Sequence, residues 1–116
     1  MKALILEDSP ERIKLFKKHL FKHDLYFFDN VKDAIEAVQL LGPFDVLFLD
    51  HDLDDRVYVD SNEPNTGYQF AKWVASQDLK FDEIILHTLN PAGAKNMKDV
   101  LPEAKIIPFI NLFSGR

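Results

Sequence analysis

At three points in this sequence, polar residues that could do chemistry follow directly after a short apolar segment. Glu7 and Asp8 follow the first segment, and Asp50 follows a later one. Like carboxylates that meet within a few ångströms either take up a proton or bind a cation. Mg²⁺ suits such oxygen ligands, because it needs only one or two carboxylates besides its waters. The residue types therefore indicate a Mg²⁺ or Mn²⁺ site, although each acid alone could simply stabilise the start of a helix.

Histidine and threonine side chains stand close to these acids. His51 follows the second acidic position, and a third apolar segment ends at His87 and Thr88. Imidazole can act as a general acid or base near pH 7, so both histidines are candidate catalytic residues. Alternatively, each is a buried histidine that hydrogen-bonds to a neighbouring acid. Because side chains alternate along a strand, we expect only one of His87 and Thr88 to face a pocket. His19 and His23 lie in a lysine-rich segment and are expected on the surface.

Two predicted helix starts are candidate phosphate-binding sites. One contains Thr66 and Gly67, and the other runs from Asn90 to Gly93. Free backbone N–H groups at a helix start can bind an anion, and a glycine there lets a phosphate approach the main chain. Ordinary capping and turn formation would explain the same residues equally well. Neither segment matches a P-loop or a dinucleotide-binding glycine pattern.

The elements that must position these residues alternate regularly along the chain. Strands are predicted at 2–6, 25–28, 44–49, 83–86 and 105–107, as short apolar runs. Helices are predicted to begin at Ser9, at Asn30, near Thr66 and at Asn90, where each cap residue is followed by helical spacing of apolar residues. The polar segment 51–65 is predicted as a loop with a small hairpin arm at 57–59. Trp73 and the phenylalanines fall at positions expected in the core.

This alternation predicts one α/β domain over 1–116, in which a parallel five-stranded sheet is covered by helices on both faces. Right-handed crossovers favour the doubly wound order 2-1-3-4-5, with the last helix short or missing. In such sheets ligands bind beyond the carboxyl ends of the strands, between strands 1 and 3. The residues expected to converge there are those at the three strand ends: Glu7, Asp8, Asp50, His51, Asp52, His87 and Thr88.

Composition excludes several classes of site. The sequence has no cysteine, which rules out disulfides, thiolate zinc sites and cysteine nucleophiles. Its formal charge of −5 disfavours a general nucleic-acid binder but allows an enzyme that acts on a nucleotide end. No apolar run approaches the roughly 20 residues that span a bilayer, and the first residues do not resemble a signal peptide. We therefore expect a cytoplasmic protein that does not associate with membranes.

The segments 3–20 and 44–50, ALILEDSPERIKLFKKHL and FDVLFLD, resemble the receiver domain of bacterial response regulators. The resemblance implies a three-layer, flavodoxin-like fold. It implies that Glu7 and Asp8 bind Mg²⁺ together with the backbone carbonyl of Asp52. It also implies that Asp50 accepts a phosphoryl group and that Thr88 supplies the hydroxyl at the end of strand 4.

The end of the chain departs from the receiver pattern. Receivers carry a lysine immediately before the proline that follows strand 5, and this lysine balances charge on the phosphoryl group. Ile107 precedes Pro108 here, and Lys105 lies two residues too early. Residues 109–113 could fold back over the sheet or pair with a second subunit in a homodimer.

Three further segments resemble a narrower group, the cyclic-phosphate-processing receiver domains. They are LDHDL at 49–53, TGYQFAKWV at 66–74 and HTLNPAGAKNM at 87–97. This resemblance implies hydrolysis of a cyclic phosphate end or of a related phosphoester. The expected partner is thus a phosphorylated small molecule or a nucleic-acid end.

Three functional hypotheses follow from these residues. The first is a metal-dependent phosphoesterase in which Asp50 or a water attacks phosphorus, His51 or His87 moves protons, and Thr88 or Asn90 holds a phosphoryl oxygen. The second is a stand-alone receiver that accepts phosphate on Asp50. The third is a degenerate receiver that only binds an unknown protein partner.

Overall fold

The computed structural model describes residues 1–54 and 56–114, in which strands and helices alternate as the sequence predicts. The strands are β1 (Lys2–Leu6), β2 (Asp24–Phe28), β3 (Val46–Leu49), β4 (Glu83–Leu86) and β5 (Lys105–Ile106). The helices are α1 (Pro10–His19), α2 (Val31–Leu41), α3 (Gly67–Ser76), α4 (Pro91–Val100) and α5 (Phe109–Leu112). The strands form one parallel sheet in the order β2-β1-β3-β4-β5, which confirms the predicted topology.

The central strand β1 supplies side chains to both faces of the sheet. Leu4 and Leu6 pack into the larger core, which α2, α3 and α4 cover. Ala3 and Ile5 pack into a smaller core on the opposite face, together with Phe16 of α1. Because successive side chains of a strand point to opposite faces, an unbroken apolar run is required where helices cover both faces. This is why β1 and β3 contain no polar residue in their buried stretches.

The helix starts lie where their cap residues predict. The side chains of the cap residues accept hydrogen bonds from the backbone N–H three residues later, at Ser9, Asn30, Thr66 and Asn90. Pro10 and Pro91 occupy the first helical position, where a missing N–H costs nothing. These caps fix where α1, α3 and α4 leave the carboxyl edge of the sheet.

Two local expectations differ from the structure. No strand forms at 57–59 within the described residues, so the predicted hairpin arm is wrong. The backbone N–H groups of Tyr58 and Val59 instead donate to the carboxylate of Asp52, at 2.6 and 3.1 Å. Phe21 is 72% exposed, unlike the other phenylalanines, because it follows the end of α1 in a turn.

The residues after β5 fold back on the smaller core, which was one of the two expected arrangements. Helix α5 is only four residues long, and Phe109, Leu112 and Phe113 pack against this core. The ring of Phe16 contacts the rings of Phe109 and Phe113, with centroids 5.7 and 5.3 Å apart. The tail thereby covers the face that a longer last helix would cover. Among the described residues, none of the helices is long and apolar enough to cross a membrane.

Deleting residues 109–116 is expected to lower the free energy of unfolding by about 3 kcal/mol, since three half-buried apolar side chains lose their contacts. Urea denaturation measures the loss, and sedimentation velocity reports the association state. Ile110→Ser is the control, because Ile110 is 71% exposed and its replacement should change neither quantity. A deletion that dissociates a dimer without destabilising the subunit would show instead that the tail pairs two chains.

Candidate functional site

The three predicted chemical positions meet at the carboxyl edge of the sheet. Leu6 pairs with Leu49, and Leu49 pairs with Leu86, so the residues that follow these strand ends are neighbours. Glu7, Asp50 and His87 are all buried, and each offers one ligand atom within 4.8 Å of those of the other two. The expected convergence of these strand ends is therefore present.

Glu7 is held in place by His87. Nε2 of His87 lies 2.8 Å from Oε1 of Glu7, while Oε2 accepts hydrogen bonds from the backbone N–H groups of Asp8 and Ser9. Burial raises the pKa of Glu7, but the hydrogen bond and charge of His87 outweigh burial, helped by the Ser9 N–H and by Arg12, and hold the pKa below its usual value. Glu7 is thus an ionised carboxylate, to which Nε2 of His87 donates.

Of the two buried carboxylates, Glu7 and Asp50, Asp50 has the less well compensated negative charge. Its Oδ1 accepts a hydrogen bond from the backbone N–H of His51 at 2.8 Å, and its Oδ2 faces Nη1 of Arg12 at 3.7 Å. Burial raises the pKa of Asp50 to about 6, and the negative charge of Glu7 adds to the rise, against the opposing effects of His87, the His51 N–H and Arg12. The ionised form of Asp50 is therefore destabilised in the folded chain, and a cation bound beside Asp50 would relieve that destabilisation.

Arg12 is a site residue that the sequence analysis missed. Nη1 lies 3.6 Å from Oε1 of Glu7 and 3.7 Å from Oδ2 of Asp50, and the guanidinium carbon lies 5.0 Å from the ring centre of Phe109. Its side chain is 25% exposed. Helical periodicity contained the signal, because Arg12 lies one turn before the buried Phe16 on the same face of α1 and nearer to the carboxyl edge.

A cavity of about 310 Å³ opens above this cluster. Carboxylates and arginines line it together with the ends of the loops that follow β3 and β4. The lining residues are Glu7, Asp8, Ser9, Arg12, Asp50, Asp52, Arg56, Val57, Tyr58, Thr88, Leu89 and Asn90. A cavity lined by both acidic and basic side chains suits a phosphate bound together with a divalent cation. The acidic side chains can compensate the charge of the cation, and the basic ones can compensate that of the phosphate.

The side chain of Asp52 holds the loop that follows β3. Its carboxylate accepts hydrogen bonds from Nδ1 of His51 at 2.8 Å and from Nδ2 of Asn90 at 3.0 Å, besides those from the N–H groups of Tyr58 and Val59. Burial raises the pKa of Asp52, but these four hydrogen bonds outweigh burial and lower it. The carboxylate is thus used within the protein, and the metal-binding role expected for Asp52 would fall to its backbone carbonyl.

His51 lies behind the cavity wall. The side chain is completely buried, with Nδ1 on Asp52 and Nε2 2.8 Å from Oγ of Ser61. A Cβ on Gly93 would come within 2.4 Å of the imidazole ring, so the glycine allows α4 to pack against it. This placement supports the alternative of a buried, hydrogen-bonded histidine and a packing role for Gly93. It does not support the catalytic role expected for His51 or the phosphate-binding role expected for Gly93.

The residues at the start of α3 also have a packing role. The N–H of Gly67 donates to the carbonyl of His51 at 2.9 Å, and a Cβ on Gly67 would come within 1.9 Å of the carbonyl oxygen of Asp50. Thr66 is completely buried, and its hydroxyl accepts from the N–H of Gln69 as the cap of α3. Neither Thr66 nor Gly67 lines the cavity, so their placement does not support the phosphate-binding role expected for them.

Thr88 and Asn90 do line the cavity, whereas His87 lies behind Glu7. Only one of the two residues at the end of β4 therefore faces the pocket, as strand alternation predicts. Oγ1 of Thr88 accepts a hydrogen bond from the N–H of Asn90 at 3.1 Å and keeps its own O–H to donate. The side-chain amide of Asn90 donates to Asp52 and accepts from the N–H of Gly93, and these two hydrogen bonds fix the orientation of the Asn90 side chain.

The fold is that of receiver domains. A receiver domain of a CheY-like response regulator from Methylobacillus flagellatus is 21% identical, with a TM-score of 0.62, and the match covers 96% of this chain and 91% of that one. The chemotaxis protein CheY4 of Vibrio cholerae is 21% identical, with a TM-score of 0.68 and coverage of 92% and 84%. The receiver domain of a histidine kinase from Syntrophus aciditrophicus is 22% identical, with a TM-score of 0.68 and coverage of 91% and 76%. No curated protein sequence matches the chain.

A narrower match comes from the sequence itself. The family model of the cyclic-phosphate processing receiver domain matches residues 3–103. This range includes both the acidic cluster and the loop that Asp52 and His51 organise. The chain therefore belongs to the family of cyclic-phosphate processing receiver domains.

Proposed function

We propose that this protein is a metal-dependent phosphoesterase that hydrolyses a cyclic or terminal phosphate of a nucleotide or nucleic-acid end. One observation carries the proposal: the buried carboxylates of Glu7 and Asp50 meet Arg12 at the floor of a cavity that Asp8 and Thr88 also line. Such an arrangement can hold a cation and a phosphoryl group side by side.

The residues present fit Mg²⁺ or Mn²⁺. Asp8 and Asp50 offer carboxylate oxygens at the cavity, and the backbone carbonyl of Asp52 is the further ligand that the family resemblance implies. Glu7 would support them from behind, because both of its oxygens already accept hydrogen bonds. When bound, the cation would neutralise phosphoryl oxygens and polarise the ester.

The chain's own residues would orient the phosphate and its attacker. The O–H of Thr88 would hold a non-bridging oxygen. Asp50 would act through Oδ2 in one of two ways. In the first, it attacks phosphorus as the ester P–O bond breaks, the leaving oxygen takes a proton from solvent, and a water then hydrolyses the aspartyl phosphate. In the second, it accepts the proton of a water that attacks phosphorus and passes this proton to the leaving oxygen as the ester P–O bond breaks. His87 would act through Glu7 as a positioning residue, and His51 would position the loop through Asp52.

A panel of phosphoesters tests this function. Substrates are 2′,3′-cyclic nucleotides, RNA with a 2′,3′-cyclic end, and RNA with terminal phosphates, each with Mg²⁺, with Mn²⁺ and with a chelator. We expect turnover of at least one substrate that needs the metal and disappears with the chelator. Absence of turnover for every substrate, in a chain that binds the cation, would refute the phosphoesterase.

A second function is favoured by the position of Asp50. It follows β3 of a receiver fold and lines the cavity, with Oδ2 3.7 Å from Nη1 of Arg12. In a phospho-accepting receiver, acetyl phosphate would add one phosphoryl group, visible by mass spectrometry and absent in Asp50→Asn. Stable labelling without phosphoester turnover would favour this signalling function. Binding of a protein partner that survives removal of the carboxylates would favour the degenerate receiver.

A further inference from the structure

We propose that Arg12, supported by Phe109, is the phosphate-binding cation of this site. The inference rests on the proposed function only in placing a phosphate in the cavity above Asp50. Among the described residues, four carboxylates line this cavity, so a phosphate there needs a positive charge besides any metal ion. The structure allows each candidate cation to be compared.

The other candidate cations in the described part of the chain, Lys105 and Arg56, are already engaged or lie elsewhere. Lys105 on β5 forms an ion pair with Glu83 at 2.8 Å and is 64% exposed, and it does not line the cavity. Arg56 lines the cavity, but its side chain is 53% exposed and pairs with Glu63 at 3.3 Å. Of the two arginines that line the cavity among residues 1–54 and 56–114, Arg12 is the more buried, and its Nη1 lies 3.7 Å from Oδ2 of Asp50.

The geometry of Arg12 suits anion binding. Its contacts with Glu7 and Asp50, at 3.6 and 3.7 Å, are longer than hydrogen bonds, so they attract the guanidinium without fixing its N–H groups. A guanidinium presents its donors in a planar fork that matches two phosphate oxygens. A cation that neutralised Asp50 would remove one of these two attractions and let Arg12 turn toward a phosphate.

The ring of Phe109 packs against the guanidinium. The ring centre lies 5.0 Å from the guanidinium carbon, and the backbone N–H of Phe109 donates to the carbonyl of His87 at 2.9 Å. The Phe109 ring also packs on Phe16. The segment immediately after Ile107 and Pro108 thus supports an arginine on α1, at the point where the lysine expected of a receiver is missing.

This role makes Arg12 affect cation and phosphate in opposite directions. Both Arg12 and Mg²⁺ are positive and approach the carboxylate of Asp50, so removing the arginine should strengthen Mg²⁺ binding. Removing it should weaken phosphate binding, because the phosphate loses a charge-assisted hydrogen-bond donor. A purely structural arginine would instead weaken both.

Isothermal titration calorimetry of the full chain separates these cases, first with MgCl₂ alone and then with inorganic phosphate at saturating Mg²⁺. For Arg12→Ala we expect phosphate to bind about 10- to 100-fold more weakly and Mg²⁺ to bind a few-fold more tightly. Arg12→Lys should retain part of the phosphate affinity, and Phe109→Leu should lower it about threefold with unchanged Mg²⁺ affinity. Lys105→Ala is the matched control and should change neither.

Unchanged phosphate affinity in Arg12→Ala, or equal weakening of both ligands, would overturn the assignment. If Arg12→Ala does not fold, as thermal melts in Mg²⁺ would reveal, Arg12→Gln and Phe109→Leu carry the same prediction. The outcome is independent of turnover. Phosphate binding that depends on Arg12 in a chain without hydrolytic activity would refute the phosphoesterase alone, and turnover with phosphate binding independent of Arg12 would refute this assignment alone.

Discussion

Asp50→Asn is expected to abolish phosphoester turnover and, without metal, to make the folded chain more stable above pH 6. Folding raises the pKa of Asp50 from 3.8 to about 6, so the folded state disfavours the ionised carboxylate. Below pH 3.8 the acid is protonated in both states and imposes no such cost. The cost grows as pH rises and is complete above pH 6, where it reaches up to about 3 kcal/mol. Asparagine removes that charge and can still accept the hydrogen bond of the His51 N–H.

Urea denaturation with a chelator at pH 4 and pH 8 measures this effect. The gain from Asp50→Asn should appear at pH 8 and nearly vanish at pH 4. Added Mg²⁺ should stabilise the original chain but not the variant, since a ligand that binds only the folded state stabilises it. Asp78→Asn, at an exposed position away from the cavity, should change neither stability nor turnover. An Asp50→Asn chain that is less stable at pH 8 would contradict the description of Asp50 as an undercompensated carboxylate.

His87→Leu is expected to lower the free energy of unfolding by about 3 kcal/mol at neutral pH and to reduce turnover sharply. Leucine fills similar space between Phe16 and Phe109 but leaves the buried carboxylate of Glu7 without its 2.8 Å donor. Breaking a buried pair in this way is costly because one charge remains uncompensated. Turnover should fall because Glu7 loses its orientation, although His87 does not line the cavity.

The double variant Glu7→Gln with His87→Leu should recover most of the lost stability, since no buried charge is left. In the original chain Glu7 has a lowered pKa, so its contribution to stability is present above pH 4.5 and is lost as pH falls further. The penalty of His87→Leu should accordingly shrink toward pH 4, where Glu7 can take up a proton. His23→Leu, at an exposed histidine, is the control. Equal stability of the single and double variants at pH 7 would contradict the coupling of Glu7 to His87.

The sheet could be predicted because its signals are local. Unbroken apolar runs at β1 and β3 require helices on both faces, and Ser9, Asn30, Thr66 and Asn90 cap helices at the expected positions. The topology then follows from the handedness of crossovers. The hairpin arm at 57–59 could not be excluded from sequence, because the carboxylate that organises this loop lies several residues earlier, at Asp52.

The site could be predicted only as far as the ends of the strands. Parallel strands deliver Glu7, Asp50 and His87 to one edge whatever their side chains do. Beyond that edge, contacts with loops decide which residues reach the cavity, and these contacts bury His51. A glycine such as Gly67 has the same sequence signature whether a phosphate or a backbone carbonyl approaches it, and here it is the carbonyl of Asp50.

At Arg12 the error is the opposite one, because a residue expected on the surface lies at the site. A basic residue in a helix rich in lysine and arginine is usually a surface residue, so the charge of Arg12 did not indicate a role at the site. The position of Arg12 one turn before Phe16 did, because that face of α1 turns toward the sheet. Among the described residues, the arginine that faces the acidic cluster thus comes from α1, whereas Lys105 of β5 pairs with Glu83.

A crystal structure of the chain grown with Mn²⁺ and inorganic phosphate tests the shared acidic site most directly, through anomalous scattering at the manganese edge. We expect one strong peak within coordination distance of the Asp8 and Asp50 carboxylates, with a phosphate between it and Arg12. A crystal with no peak there, and with Arg12 still lying across Glu7 and Asp50, would show that Arg12 and His87 stabilise these acids without a bound ion and would contradict the metal site.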